Sequence, residues 1–239
     1  MAQFNIYQFV KIDNYLYTML YLVPTPIGNL GDITPRAIEV MKSVEVILAE
    51  DTRTSGRLLK HFEISVKMQA YHAHNEHGTV ERVVNMLKED LDIALITDAG
   101  TPAISDPGFL LVRTCHDNDI PVSCLPGANA ITPALAMSGI PCDKFYFEGF
   151  LPHKKGRQTR WKLLSQLDCT IVLYESTHRI IKLLKEANEH LGPDRLISVI
   201  KEISKLHETI FRGTTSEVLS QLESGNTKGE FVVVIGSDQ

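Results

Sequence analysis

Asp98 ends the apolar run Ile93-Ala94-Leu95-Ile96-Thr97 and opens the loop Asp98-Ala99-Gly100-Thr101-Pro102-Ala103-Ile104-Ser105-Asp106-Pro107-Gly108. A buried strand that delivers a carboxylate, glycines and prolines at its carboxyl end predicts a rigid loop where α/β sheets hold ligands. Two further loops are expected at the same edge, Pro24-Thr25-Pro26-Ile27-Gly28-Asn29-Leu30-Gly31-Asp32 and Leu125-Pro126-Gly127-Ala128-Asn129-Ala130. Small residues in them let a ligand approach the backbone closely. The first of these is neither G-x-G-x-x-G nor a Walker A loop, which disfavours dinucleotide or nucleoside triphosphate binding through those motifs. Its prolines preset φ and remove N–H donors, so it stiffens a wall without making a phosphate cradle.

Other clusters have both a chemical and a structural reading. Glu50-Asp51-Thr52-Arg53 puts acids at a helix start, where they serve as helix-dipole partners or as site carboxylates. His72-Ala73-His74-Asn75-Glu76-His77 contains metal-ligand types, but no further Cys or His pair completes a four-ligand set. A polar loop opening a helix, with Asn75 or Glu76 as cap, is expected, and no metal. In Tyr174-Glu175-Ser176-Thr177-His178-Arg179 a carboxylate ends a strand and Ser176 or Thr177 can cap the next helix. The run His153-Lys154-Lys155-Gly156-Arg157-Gln158-Thr159-Arg160-Trp161-Lys162 reads as a solvated helix face, or as a phosphate-binding surface with Trp161 for stacking.

The elements that must position these groups are legible from periodicity. Leu20–Val23, Val44–Ala49, Val66–Ala70, Ile93–Thr97 and Pro121–Leu125 read as strands, with helical segments between them. Val80, Val83, Val84 and Leu87 mark one helix face, and Thr34-Pro35 marks a helix start. This alternation predicts an N-terminal parallel sheet with helices on both faces. After Ser138-Gly139-Ile140-Pro141 the rhythm changes. Strands at Phe145–Glu148, Thr170–Tyr174, Leu196–Ile200, Glu208–Arg212 and Glu230–Ile235 alternate with helices near 157–167, 177–191 and 214–223, predicting a C-terminal mixed sheet. The expected division is an extension over 1–19, an α/β domain over 20–138 and a second α/β domain over 139–239, with Met19 a possible alternative start.

The 239-residue chain can bury a substantial core, and its net charge of −5 excludes a uniformly basic nucleic-acid coat without excluding a local basic patch. Cys115, Cys124, Cys142 and Cys169 form no C-x-x-C pair and sit in or beside apolar runs, which predicts reduced thiols in a cytoplasmic protein. No stretch approaches the roughly 20 apolar residues of a membrane span, and no signal peptide is expected at the N-terminus.

Taken in order, Leu22-Val23-Pro24-Thr25-Pro26-Ile27-Gly28-Asn29-Leu30, Ala49-Glu50-Asp51-Thr52-Arg53, His72-x-His74-Asn75-Glu76, Asp98-Ala99-Gly100-Thr101-Pro102, Leu125-Pro126-Gly127, Glu148-Gly149-Phe150-Leu151-Pro152, Tyr174-Glu175-Ser176-Thr177-His178-Arg179 and Gly229-Glu230 resemble the ribosomal RNA small subunit methyltransferase I family. The resemblance implies the tetrapyrrole-methylase (class III) fold, S-adenosylmethionine held in a cleft between two domains, and a homodimer. It also implies 2′-O-methylation of a decoding-region cytidine in 16S rRNA, free or in the small ribosomal subunit. By the same resemblance the cofactor contacts fall on Ile27, Asp98, Ala99, Gly100, Thr101, Ile104, Pro126, Asn129, Ala130, Tyr174 and Glu175. RNA contacts fall on Arg53, Lys154, Lys155, Arg157, Arg160, His178 and Arg179. Ala99-Gly100-Thr101-Pro102 stands where tetrapyrrole-type relatives usually have Gly-Gly-Asp-Pro. A ribose hydroxyl is a weak nucleophile that a base would assist, and Glu50, Asp51, His74, Asp98 and Glu202 are the candidates. Two other functions fit the same residues: methylation of a small molecule such as a tetrapyrrole, and a non-catalytic RNA-binding role in ribosome assembly.

Overall fold

A computed structural model describes residues 18–237; the expected extension over 1–19 therefore lies almost wholly outside the described residues. The chain divides into two compact units. The first comprises the described residues through Val23, together with Pro35–Asp98 and Asp106–Leu125. The second comprises Pro24–Thr34, Ala99–Ser105 and the chain from Pro126 onward.

In the first unit the elements run β1 (Leu20–Leu22), α1 (Pro35–Ser43), β2 (Val46–Ala49), α2 (Thr52–His61), β3 (Lys67–Ala70), α3 (Glu76–Lys88), β4 (Ile93–Ile96), α4 (Phe109–Asp117) and β5 (Val122–Cys124). The strands lie in the order β3-β2-β4-β1-β5, all parallel. Every residue of β2 and β4 is buried, the signature of central strands covered on both faces. On one face Leu22, Val46, Leu48, Ile93 and Leu95 pack with Val80, Val83, Val84 and Leu87 of α3 and Leu111 and Cys115 of α4. Each such side chain contributes about 1.5–3 kcal/mol on leaving water. The edge strand β3 is the one with Lys67 and Gln69, and none of its residues is buried.

The second unit contains α5 (Ile131–Ser138), β6 (Phe145–Phe150), α6 (Arg157–Leu164), β7 (Thr170–Ser176), α7 (Ile180–Leu191), β8 (Leu196–Lys201), β9 (Thr209–Thr214), α8 (Thr215–Glu223) and β10 (Glu230–Ile235). Its sheet is ordered β6-β7-β10-β8-β9 and is mixed, with β6 and β7 parallel and the remaining pairs antiparallel. Period-two alternation splits the strands between two cores. Ile171, Leu173, Ile197, Val199, Phe231, Val233 and Ile235 face α6, α7 and α8, where Trp161, Leu183, Leu184 and Val218 meet them. Val172, Ile200, Val232 and Val234 face α5 through Ala134 and Leu135.

One helix start differs from expectation. α7 begins at Ile180 rather than near Thr177, because Ser176–Arg179 close a turn through Arg179 N–H to Ser176 O at 3.0 Å. Thr177 does not cap the helix. Its hydroxyl donates to Gly229 O and accepts from Gly229 N–H, both at 2.7 Å, pinning the end of β7 to the approach of β10.

Candidate active site

Three loops meet within the second unit. Thr25 and Gly100 exchange both backbone hydrogen bonds at 2.9 Å, joining the first loop to the loop after β4. Thr101 Oγ1 donates to Ala128 O at 3.4 Å and joins that loop to the one after β5. Gly127 closes the triangle: a Cβ there would lie 2.8 Å from Pro24 Cβ, so only glycine allows the approach. The threonine at 101 thus acts as a tie between loops.

The segment Ala99–Ser105 is also strained. Ala103 and Ser105 adopt φ of 66° and 62° without being glycine, a conformation that persists only where the surroundings impose it. Ile27, Ala130 and Tyr174 lie half-buried on one apolar cluster beside these ties. A half-buried aliphatic and aromatic rim beside bare loop backbone suits the flat, partly polar adenosyl group of S-adenosylmethionine, so the residues present fit that cofactor. Asp98, Ala99 and Pro126 are exposed at the loop ends, Ile104 is 46% exposed, and Asn129 anchors the start of α5 by accepting from Thr132 N–H at 2.9 Å.

Glu175 does not share Tyr174's surroundings. It points to the opposite face of β7, is 1% exposed, and binds Arg179 at 2.8 Å. Successive strand residues face opposite sides, so adjacent positions could not both line one surface.

In the first unit, carboxylates gather after β2 and β4. Glu50 accepts from Thr97 Oγ1 at 2.7 Å, and Asp98 accepts from Asp51 N–H at 3.3 Å. Asp51 caps α2 through Arg53 N–H at 2.8 Å and binds the Arg53 side chain, which holds its carboxyl down at about 2. Asp98 is shifted the other way, raised by the partial burial of its carboxyl and then by the Glu50 charge. Asp106 is pushed up to about 6 by burial, then by Glu50 and Asp98, against a lowering contribution from Thr97. Asp106 is the residue that reading the sequence did not single out. The signal lay in the loop itself, whose two carboxylates bracket Ala99–Ser105, but its acidity depends on Glu50 arriving from another strand.

The remaining base candidates are differently placed. Glu202 lies in the second unit, accepts from Glu230 N–H at 2.9 Å and binds Lys205 at 3.0 Å, with its carboxyl lowered. His74 is exposed, 6.0 Å from the His72 ring. Asn75 accepts from His72 N–H, and Glu76 accepts from Tyr71 OH at 3.0 Å and Gly108 N–H at 3.2 Å. Among the described residues no group of three or more His, Cys, Asp or Glu side chains is arranged to hold a metal ion.

The basic run divides. Lys154 and Lys155 are exposed. Arg157, expected to meet RNA, is 3% exposed and grips both oxygens of Glu186, at 3.0 and 2.7 Å, while Trp161 donates to the same carboxylate and is fully buried. Arg160 is tied to Glu148 and to Tyr146 OH. Arg157 and Trp161 build the interior, where a guanidinium can be buried only with a partner, and Arg160 is held half-buried by its own. Trp161 is correspondingly no stacking surface. His178 is exposed, Arg53 is 86% exposed at its side chain, and Arg179 is 16% exposed at its side chain.

Comparison with known proteins gives a consistent result. The family described as Tetrapyrrole (Corrin/Porphyrin) Methylases matches residues 19–219. Proteins named ribosomal RNA small subunit methyltransferase I are similar throughout. The chain is 46% identical to that of Synechocystis sp. over 91% of this chain and 78% of the relative. It is 47% identical to that of Haemophilus influenzae over 91% and 78%. For that of Thermotoga maritima the figures are 40%, 92% and 99%. Among solved structures, diphthine synthase superposes with a TM-score of 0.72 at 13% identity, covering 92% of this chain and 90% of that one. A cobalt precorrin-4 methyltransferase gives 0.66 at 16%, covering 91% and 94%. These structural likenesses establish the fold. The identities over nine-tenths of the chain establish more: the chain belongs to the ribosomal RNA small subunit methyltransferase I family, within the tetrapyrrole methylases.

Proposed function

We propose that this chain is an S-adenosylmethionine-dependent rRNA methyltransferase that modifies the 2′-hydroxyl of a decoding-region cytidine in 16S rRNA, as a cytoplasmic homodimer acting on the RNA or the small ribosomal subunit. The observation that carries the reading is the interlock of three loops, Thr25 with Gly100, Thr101 with Ala128, and Gly127 against Pro24, in a member of this family. Among the described residues no helix is long and apolar enough to cross a membrane, which accords with the assignment.

S-adenosylmethionine supplies an activated methyl group on a sulfonium. Ile27, Ala130 and Tyr174 offer it an apolar rim, and the ties at Gly100 and Thr101 hold the loops beside that rim in place. Rigid loops matter because methyl transfer is an in-line displacement whose rate depends on orientation. The proton of the acceptor hydroxyl needs a base that is ionised near neutrality yet not quenched by a cation. Asp51 is held down by Arg53, and Glu202 by the Glu230 N–H and then by Lys205. Asp106, which shares the end of β4 with Asp98 and the neighbourhood of Glu50 and is raised to about 6, is the candidate for that base put to the test below.

The test is methylation of small ribosomal subunits purified from a strain lacking this protein, with the modified nucleotide mapped. A single 2′-O-methylcytidine in the decoding region is expected. Absence of incorporation, or turnover of a tetrapyrrole instead, would overturn the reading.

A further inference from the structure

The mixed sheet carries an aromatic group that the reaction above does not use. β6 has a bulge between Phe147 and Gly149, so that Phe147 pairs with Val172, Gly149 with Leu173, and Phe150 with Tyr174. Side chains alternate along a regular strand, so Phe147 and Phe150, three residues apart, would face opposite sides if Glu148 took its own place in the ladder. The bulge, with Gly149 at φ 70°, turns both toward Tyr174. Phe147 lies 5.1 Å and Phe150 5.5 Å from the Tyr174 ring. Phe147 and Tyr174 are half-buried on the cluster that includes Ile27 and Ala130, whereas Phe150 remains 52% exposed.

The exposed ring is held firmly. The Arg179 guanidinium lies 5.8 Å from its centroid, fixed in turn by Glu175 at 2.8 Å and by donating to Leu151 O at 3.0 Å. Arg157 donates to Pro152 O at 3.0 Å, bracing the chain where it leaves the ring for exposed Lys154 and Lys155. An open aromatic face with a fixed guanidinium over it, followed at once by two exposed ammonium groups, is the chemistry that takes an unpaired base and its flanking phosphates.

We propose that Phe150, backed by Arg179, is a stacking platform for an unpaired nucleobase of the RNA acceptor, with Lys154 and Lys155 meeting the adjoining phosphates. The inference rests on the rRNA reading above and deepens it by naming how the strand is held.

The probe is a short single-stranded oligocytidylate, read by fluorescence in Phe150→Trp. Trp161, the chain's single tryptophan, is fully buried and leaves a steady background. Quenching of the new indole on titration is expected. By competition, Phe150→Ala and Phe150→Leu should bind the oligonucleotide about tenfold more weakly, and Phe150→Trp should match wild type, while calorimetric affinity for S-adenosylmethionine stays unchanged in all three. Equal oligonucleotide affinity in all variants overturns the proposal. So does loss of donor affinity with RNA affinity intact, which would give the ring to the cofactor's adenine. If wild type leaves ribosomal subunits unmethylated while Phe150→Trp is still quenched, the rRNA reading fails and the platform stands. If Phe150→Ala methylates subunits and binds oligonucleotide as wild type does, the platform fails and the reading stands.

Discussion

Charged groups are handled in opposite ways in the two units. In the second, Arg157 with Glu186, Arg160 with Glu148, Arg179 with Glu175 and Lys205 with Glu202 and Glu230 neutralise one another. In the first, Glu50, Asp98 and Asp106 crowd together with a hydroxyl and a backbone N–H as partners, and the carboxyls of Asp98 and Asp106 rise. Paired charge builds architecture, and burial followed by crowded like charge tunes acidity at some expense of stability. Removing members of each set should therefore have different signatures.

The largest effect should come from the paired set. Arg157→Ala leaves Glu186 with only the looser cation Lys182 at 3.8 Å and should lower unfolding free energy by about 3 kcal/mol, measured by urea denaturation at neutral pH. Asp106→Asn should do the reverse: the fold is retained while single-turnover methyl transfer falls by about a hundredfold or more. In wild type the rate should rise with pH through about 6 as Asp106 ionises, and that limb should vanish in the variant. The stability sign is also set. Because Asp106 holds its proton more tightly folded than unfolded, wild type should lose stability as pH climbs from the ordinary carboxylate value of 3.8 to about 6, and Asp106→Asn should lose less. A variant whose stability follows the wild-type pH curve would break the comparison.

Gly127→Ala tests the loop interlock, since its Cβ must displace Pro24, and should lower stability by about 1–3 kcal/mol with a matching loss of donor affinity by calorimetry. Charge reversal at Lys154 and Lys155 should weaken oligonucleotide binding and flatten its salt dependence by roughly 0.7 per lost phosphate contact. Adding Arg157→Glu would instead unfold the protein, which separates the exposed from the buried members of one basic run. Smallest is Thr214→Ala, which removes the capping box of α8 and should cost about 1 kcal/mol in thermal unfolding.

The fold was legible because its strands are apolar runs and its helices are amphipathic, so periodicity alone located Ile93–Ile96, Leu196–Lys201 and Glu230–Ile235 within a residue or so. The loops after β1, β4 and β5 were legible as Pro- and Gly-rich turns following those strands. Partners were not. Nothing near Arg157 announces Glu186, a helix away in α7, and nothing near Asp106 announces Glu50. The bulge at Glu148 escaped for a related reason: a single inserted residue changes which face Phe150 joins without altering local composition. Acidity, burial of cations and re-aimed rings all depend on what another segment brings, and composition carries no record of that.

The path of the chain through the two units has a consequence for how the protein can be made. It leaves the first unit at Val23, Asp98 and Leu125, and returns to it at Pro35 and Asp106. The parallel sheet and the ties among Thr25, Gly100, Thr101 and Ala128 can form once residue 130 has been synthesised, but Ile27 and Ala130 must wait to pack against Val172, Ile200 and Val232, encoded further downstream. No single cut in the gene yields two self-sufficient halves. A nascent chain halted near residue 130 should leave the Ile27 segment open to protease and gain full protection only when β10 has emerged.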